Sequence, residues 1–169
     1  MAAPTRRTRG PRPGKAAAID VHVLDRQRMV AVSATWLGGV VRRALVRQGV
    51  TAAEISVLVV GDRRMARLHE EWLGVPGPTD VITFDLADDA PDGGLRGDIV
   101  VSAETARRVA REVGWQPRHE LAYYVVHGLL HLAGYDDHAP ADRRAMRARE
   151  RVLLRAAGLP APPAPGRAR

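Results

Sequence analysis

The 169-residue sequence has no cysteine, so no disulfide can staple the fold and no thiolate can hold a metal. Any metal would have to be held by His and Asp, an economy compatible with a reducing cytoplasm. No apolar run reaches the ~18 residues that a membrane-spanning helix needs. The basic N-terminal stretch is not followed by the apolar segment of a signal peptide, so its arginine pairs are not read as an export signal. Lysine is almost missing as well. Lys15 is the only one, and this preference for Arg reads as the habit of a GC-rich genome more than a functional choice.

Acidic residues are absent from both ends of the chain. Residues 1–18 carry Arg6, Arg7, Arg9, Arg12 and Lys15, and residues 160–169 carry Arg167 and Arg169. Those seven cations account for the whole net charge of +7, and residues 19–159 balance 19 basic against 19 acidic side chains. The ends are rich in Pro, Gly, Ala and Arg, a composition that predicts disordered tails at 1–18 and 160–169 around one domain at 19–159. Such arms can bind RNA by releasing counterions, or can be solvated extensions without a partner.

Between the tails the pattern alternates strand and helix. Strands are expected at Ile19 to Leu24, Glu54 to Val60, Val81 to Leu86 and Leu95 to Val101, the last two able to form a hairpin across the acidic turn from Ala87 to Gly94. Ser33 can cap a helix to about Gln48, and Ser102 another to about Val113. Gly61-Asp62 opens a helix through Met65, Leu68 and Trp72, and Gly74 to Pro78 is a loop. Pro117 suits the first turn of a helix that carries Leu121, Val125, Leu129 and Leu132 as an apolar stripe. A last helix runs from about Pro140 to Ala157 and stops at Gly158. The fold class is therefore α+β: a single domain with about four strands in a sheet packed with about five helices.

The Pro117 helix ends His127-Gly128-Leu129-Leu130-His131-Leu132-Ala133-Gly134-Tyr135-Asp136-Asp137-His138. Two histidines four residues apart share a helical face with Cβ atoms ~6 Å apart. That spacing suits two imidazoles converging on one zinc ion, with Zn–N bonds of about 2.0–2.1 Å. Gly134 can end the helix in the left-handed conformation and turn the chain back with a third ligand. The register is that of the metzincin proteases, His-Glu-x-x-His-x-x-Gly-x-x-His, which makes this a metzincin-like metal helix. The third position falls on Asp137, with His138 one step later. Asp137 keeps the spacing and His138 keeps the residue type; register favours Asp137, because a ligand shifted by one residue points elsewhere unless the loop is rebuilt. The protease's general-base glutamate would stand at position 128, where Gly128 cannot accept a proton, so peptide hydrolysis is disfavoured. Glu120, seven residues before His127, lies near the histidine face and can orient a ligand, though such a residue is more often a solvated surface acid.

These residues resemble the bacterial endoribonuclease and rRNA maturation factor family YbeY, whose signature His-Gly-x-Leu-His-Leu-x-Gly-Tyr-Asp-His runs here from His127 to Asp136. Pro78-Thr79-Asp80-Val81-Ile82-Thr83-Phe84 is similar to the family's Pro-Thr-Asp-Val-Leu-Ser-Phe, and Gly97-Asp98-Ile99 to its Gly-Asp-Ile strand. Met146 and Glu150 fit its closing helix. The resemblance covers roughly residues 54 to 155. It implies a cytoplasmic, zinc-dependent hydrolase of single-stranded RNA with one Zn2+, acting on ribosomal RNA and the small ribosomal subunit, in maturation of the small-subunit RNA 3′ end and in ribosome quality control. No membrane role is implied.

Two departures stand out. The signature's third histidine is replaced by Asp137, and the family's arginine before the Pro-Thr-Asp motif aligns with Leu73. Arg63, Arg64 or Arg67 on the preceding helix are candidates to substitute for it. On this reading His127, His131 and Asp137 are the catalytic metal site, with His138 as the alternative third ligand, and Thr79 and Asp80 line the substrate cleft. Thr79 and Asp80 have an equal claim to be a turn that satisfies its own backbone. A zinc-containing, non-catalytic ribosome-assembly factor is the main rival, and a zinc peptidase a weaker one.

Overall fold

The computed structural model describes residues 18–89 and 94–163. Residues 1–17 and 164–169, nearly all of the first expected tail and part of the second, lie outside the described residues, as do 90–93 of the acidic turn. The chain runs β1 (Ile19–Asp25), α1 (Ala34–Gln48), β2 (Ala53–Val60), α2 (Asp62–Leu73), β3 (Val81–Asp85), a 3-10 turn (Ala87–Asp89), β4 (Leu95–Ser102), α3 (Ala103–Val113), α4 (Pro117–Leu132) and α5 (Pro140–Ala156). The expected α+β domain of four strands and five helices is the one observed.

Local chemistry sets the boundaries. The Ser33 hydroxyl accepts from Trp36 N at 3.0 Å, and Ser102 Oγ accepts from Thr105 N at 3.2 Å, so each serine satisfies an otherwise orphaned N–H at a helix start. Pro117 and Pro140 occupy first-turn positions, where a missing N–H costs nothing.

The sheet order is β1-β2-β4-β3. β1, β2 and β4 are parallel, while β3 returns antiparallel to β4 with Val81 opposite Val101 and Asp85 opposite Gly97. Side chains alternate between two faces. Val57, Val59, Ile99 and Val101 join the large core with α1, α3, α4 and α5. Val60, Ile82 and Val100 turn to the other face and meet Met65 of α2, with Leu68 and Phe84 around them. Thus α2 lies across the sheet from α4.

The expected stripe of α4 is buried, but so are Ala122, Tyr124, Val126, Gly128 and Leu130. The amphipathic reading is corrected here: α4 is the central helix, packed on β3 and β4 and flanked by α1, α3 and α5. Two glycines permit its close approach to the sheet. A Cβ on Gly128 would lie 2.9 Å from Thr83 Cγ2 and 3.0 Å from Ile99 Cγ2. One on Gly97 would lie 2.7 Å from Leu132 Cδ1 and from the Phe84 carbonyl oxygen.

Candidate metal centre

His127 and His131 project from the last turns of α4. Past them, Gly134 adopts φ +85° and the chain folds back, with Tyr135 N donating to Leu130 O at 2.9 Å. Asp136 Oδ1 then accepts from Asp137 N at 2.7 Å and from His138 N at 3.2 Å, which fixes the loop. The result places Asp137 Oδ2 3.7 Å from His127 Nε2. His127, His131 and Asp137 each offer one ligand atom, all within 4.8 Å of one another. The His138 side chain is 91% exposed, with Nε2 3.6 Å from Asp136 Oδ1, and it groups only with Asp136 and Asp137.

The orientation of the two rings is chemically specific. His131 Nδ1 lies 3.1 Å from the Tyr135 carbonyl oxygen, which can only accept, so Nδ1 carries the proton. His127 Nδ1 lies 2.7 Å from Glu150 Oε1, a carboxylate that is likewise an acceptor when ionised. When the rings are neutral, both Nε2 atoms carry lone pairs, and they face each other at 2.9 Å. Two lone pairs at that distance repel unless a proton or a cation lies between them. Two imidazole nitrogens and a carboxylate oxygen form a donor set that zinc accepts, and the Nδ1 tethers are the outer supports such ligands usually have. The residues present therefore fit a metal ion.

The local field also favours a cation. Burial pulls the His127 pKa down, but the hydrogen bond and charge of Glu150, with Asp137 and Asp80, outweigh it and hold the value above the ordinary 6.5. Glu150 comes from α5, is buried, and has its second oxygen engaged by the Tyr123 hydroxyl, which donates to Oε2 at 3.2 Å.

Glu150 fills the orienting position for which Glu120 was the sequence candidate. Glu120 is not a solvated surface acid: it is 5% exposed and hydrogen-bonds Tyr124. Burial raises its pKa, the Tyr124 bond opposes that, and the charge of Asp80 adds to it. The signal for Glu150 was present in the pattern. It shares one helical face with Met146, Leu153 and Leu154, all buried, so it is a lone carboxylate in an apolar stripe.

Asp80 Oδ1 accepts from the Thr79 hydroxyl at 3.0 Å and from Val81 N at 2.8 Å, so the pair satisfies its own turn. The Asp80 carbonyl also accepts from Ser102 N at 2.9 Å, which ties the loop to the end of β4. Neither residue belongs to the ligand sets found among the described residues, although the charge of Asp80 reaches His127. Leu73 is exposed at the end of α2, and Arg63, Arg64 and Arg67 sit on that helix, across the sheet from the histidines.

Among known families, the one described as Endoribonuclease YbeY matches residues 17–158. An endoribonuclease YbeY of Anaeromyxobacter sp. (strain Fw109-5) is 50% identical over 107 residues, covering 63% of this chain and 56% of that protein. One of Mycolicibacterium smegmatis is 42% identical over 112 residues, covering 61% of this chain and 63% of that protein. The chain thus spans a little over half the length of the Anaeromyxobacter relative. The solution structure of TM1509 from Thermotoga maritima superposes with a TM-score of 0.56 at 22% identity, over 79% of this chain and 89% of that one, a likeness of fold.

Proposed function

The chain belongs to the YbeY family, and from that premise we propose that it is a zinc-dependent endoribonuclease that hydrolyses phosphodiester bonds in single-stranded RNA. The observation that carries the reading is the pair of Nε2 atoms facing at 2.9 Å, each fixed by a bond at Nδ1, with Asp137 beside them. His127, His131 and Asp137 would hold one zinc ion. A zinc ion there supplies a Lewis acid that lowers the pKa of water toward ~7 and offsets charge on a phosphate oxygen.

The chain's own residues orient and shield. Glu150 and the Tyr135 carbonyl retain the Nδ1 protons and so present Nε2 to the site. Tyr123 steadies Glu150 from within the core. Thr79 and Asp80 are the proposed substrate-side residues: the charge of Asp80 reaches His127, and its carboxylate would accept from a ribose 2′-hydroxyl. The motif resemblance supports extending this reading to ribosomal RNA as the substrate and the small ribosomal subunit as a partner, with maturation of the small-subunit RNA 3′ end and ribosome quality control as the tasks, in the cytoplasm. Among the described residues no helix is long and apolar enough to cross a membrane. Peptide hydrolysis is disfavoured by packing as well as by residue type. The position of the protease glutamate points at Thr83, Ile99 and Val81, where even a Cβ would press on the sheet.

The test is purification without added metal, elemental analysis, and incubation with a labelled single-stranded RNA. Wild type is expected to carry zinc and cut; His127→Ala combined with His131→Ala is expected to lose both. Undiminished cutting by His131→Ala would assign the activity to a contaminant and favour the non-catalytic assembly factor.

A further inference from the structure

We infer that one flank of α5 is a phosphate rail along which single-stranded RNA reaches the metal site. Arg144, Arg147, Arg151 and Arg155 recur at intervals of three and four residues, so they form one row on the helix. All four are exposed, and none forms an ion pair among the described residues. At 1.5 Å per residue the row is about 16 Å long, with neighbouring positions ~6 Å apart, comparable to the step between phosphates of an extended strand.

The acids of α5 do not neutralise the row. Glu150 is turned inward to His127 and Tyr123. Asp142 falls on the opposite flank, the one where Arg149 donates to Gln48 Oε1 and to the Arg47 carbonyl of α1. The row also begins at the site. Arg143, beside Arg144, donates to the carbonyls of Asp137 at 3.1 Å and His138 at 2.7 Å, so the metal loop and the start of α5 are tied together. The charge of Arg147 acts on the Tyr123 hydroxyl, which holds Glu150. A strand whose phosphates follow the four guanidinium groups would leave the helix next to Asp137. Planar, always-charged guanidinium groups suit phosphate oxygens.

The row lacks what an anionic membrane surface would require. Among the described residues the exposed large apolar ones are Leu24, Met29, Val46, Trp72, Leu73 and Val75, and none is on α5, so nothing there can enter a bilayer.

The inference rests on the RNA reading above, yet its test needs no cleavage. The full chain, stripped of metal with chelator, is titrated with fluorescent single-stranded RNA across a range of salt. Changing all four row arginines to Gln is expected to flatten the slope of log affinity against log salt by about 3, at ~0.7 per phosphate lost. Changing all four to Lys keeps the charge and is expected to keep the slope, which separates lost charge from lost fold. Arg26, Arg28, Arg107 and Arg111 changed together to Gln serve as a charge-matched control, expected to move the slope by less than about 1. An unchanged slope in the row variant, or an equal change in the control, overturns the rail. So does a row variant that loses only its binding to phosphatidylserine vesicles. Failure of the metal-loaded chain to cut the same RNA would instead overturn the nuclease reading and leave the rail standing.

Discussion

At positions 128 and 97 the spaces a Cβ would need are already filled, by Thr83 and Ile99 in one case and by Leu132 and the Phe84 carbonyl in the other. Gly128→Ala is expected to lower stability by about 1–3 kcal/mol through overpacking, read as a fall in Tm. Gly97→Ala should cost more, because one of its obstacles is backbone and cannot rotate away. The same crowding means that a glutamate placed at 128 would distort the helix–sheet contact rather than restore a protease. Around the metal, Asp137→Ala is expected to weaken zinc binding more than His138→Ala, as ranked by competition with a chelator. The reverse order would place the third ligand one residue later. Glu150→Gln keeps the shape but weakens the acceptor at His127 Nδ1, and a loss of 10–100-fold in metal affinity is expected. Sequence exposed the histidines because their spacing is local. Glu150 was harder to find, since it stands 23 positions away in a helix whose other charged residues are not buried.

Helix starts and stops were legible because they are written within four residues: Ser33 and Ser102 cap, Pro117 and Pro140 open, and Gly134 turns the chain. What an element packs against was less so. Nothing local reveals that α4 is enclosed on nearly every side, or that β4 lies between β2 and β3. Asp62 illustrates the gap. It was legible as a helix opener, yet it also accepts from the hydroxyls of Ser102 and of Thr105, the latter at 2.9 Å, and from Arg108 at 3.4 Å. Its own N–H donates to Glu104 Oε2 at 2.6 Å, so α2 and α3 start from one shared clamp. Burial pushes the Asp62 pKa up, but the bonds from Ser102, Thr105 and Arg108 outweigh it and hold the carboxyl below its ordinary 3.8. A carboxylate with a depressed folded-state pKa stabilises the fold above its unfolded value and loses that contribution as pH falls through the folded value. Asp62→Asn is therefore expected to cost about 1–3 kcal/mol at pH 7. The gap in Tm between variant and wild type should close only below pH 3.8.

Taken as a whole, the balanced charge of residues 19–159 conceals an uneven one. α5 carries six of the nineteen arginines and only two acids, one of them buried. RNA affinity is thus expected from two sources, the basic ends of the chain and the α5 row. Removing residues 1–18 and 160–169 should flatten the salt dependence of RNA binding, while metal-dependent cutting of a labelled strand persists. Loss of cutting in that shortened chain would give the ends a part in the reaction itself. The tie between His127 and Glu150 has a further consequence, in time rather than in space. During synthesis both histidines emerge before the helix that bears the carboxylate, so a growing chain possesses His127 before it can aim it. Docking of α5 would complete the support of His127 and bring the arginine row into place in the same event. Under the proposed function, firm metal binding and access for a strand would be acquired together and late, which would keep a nascent nuclease from cutting RNA near the ribosome that is making it.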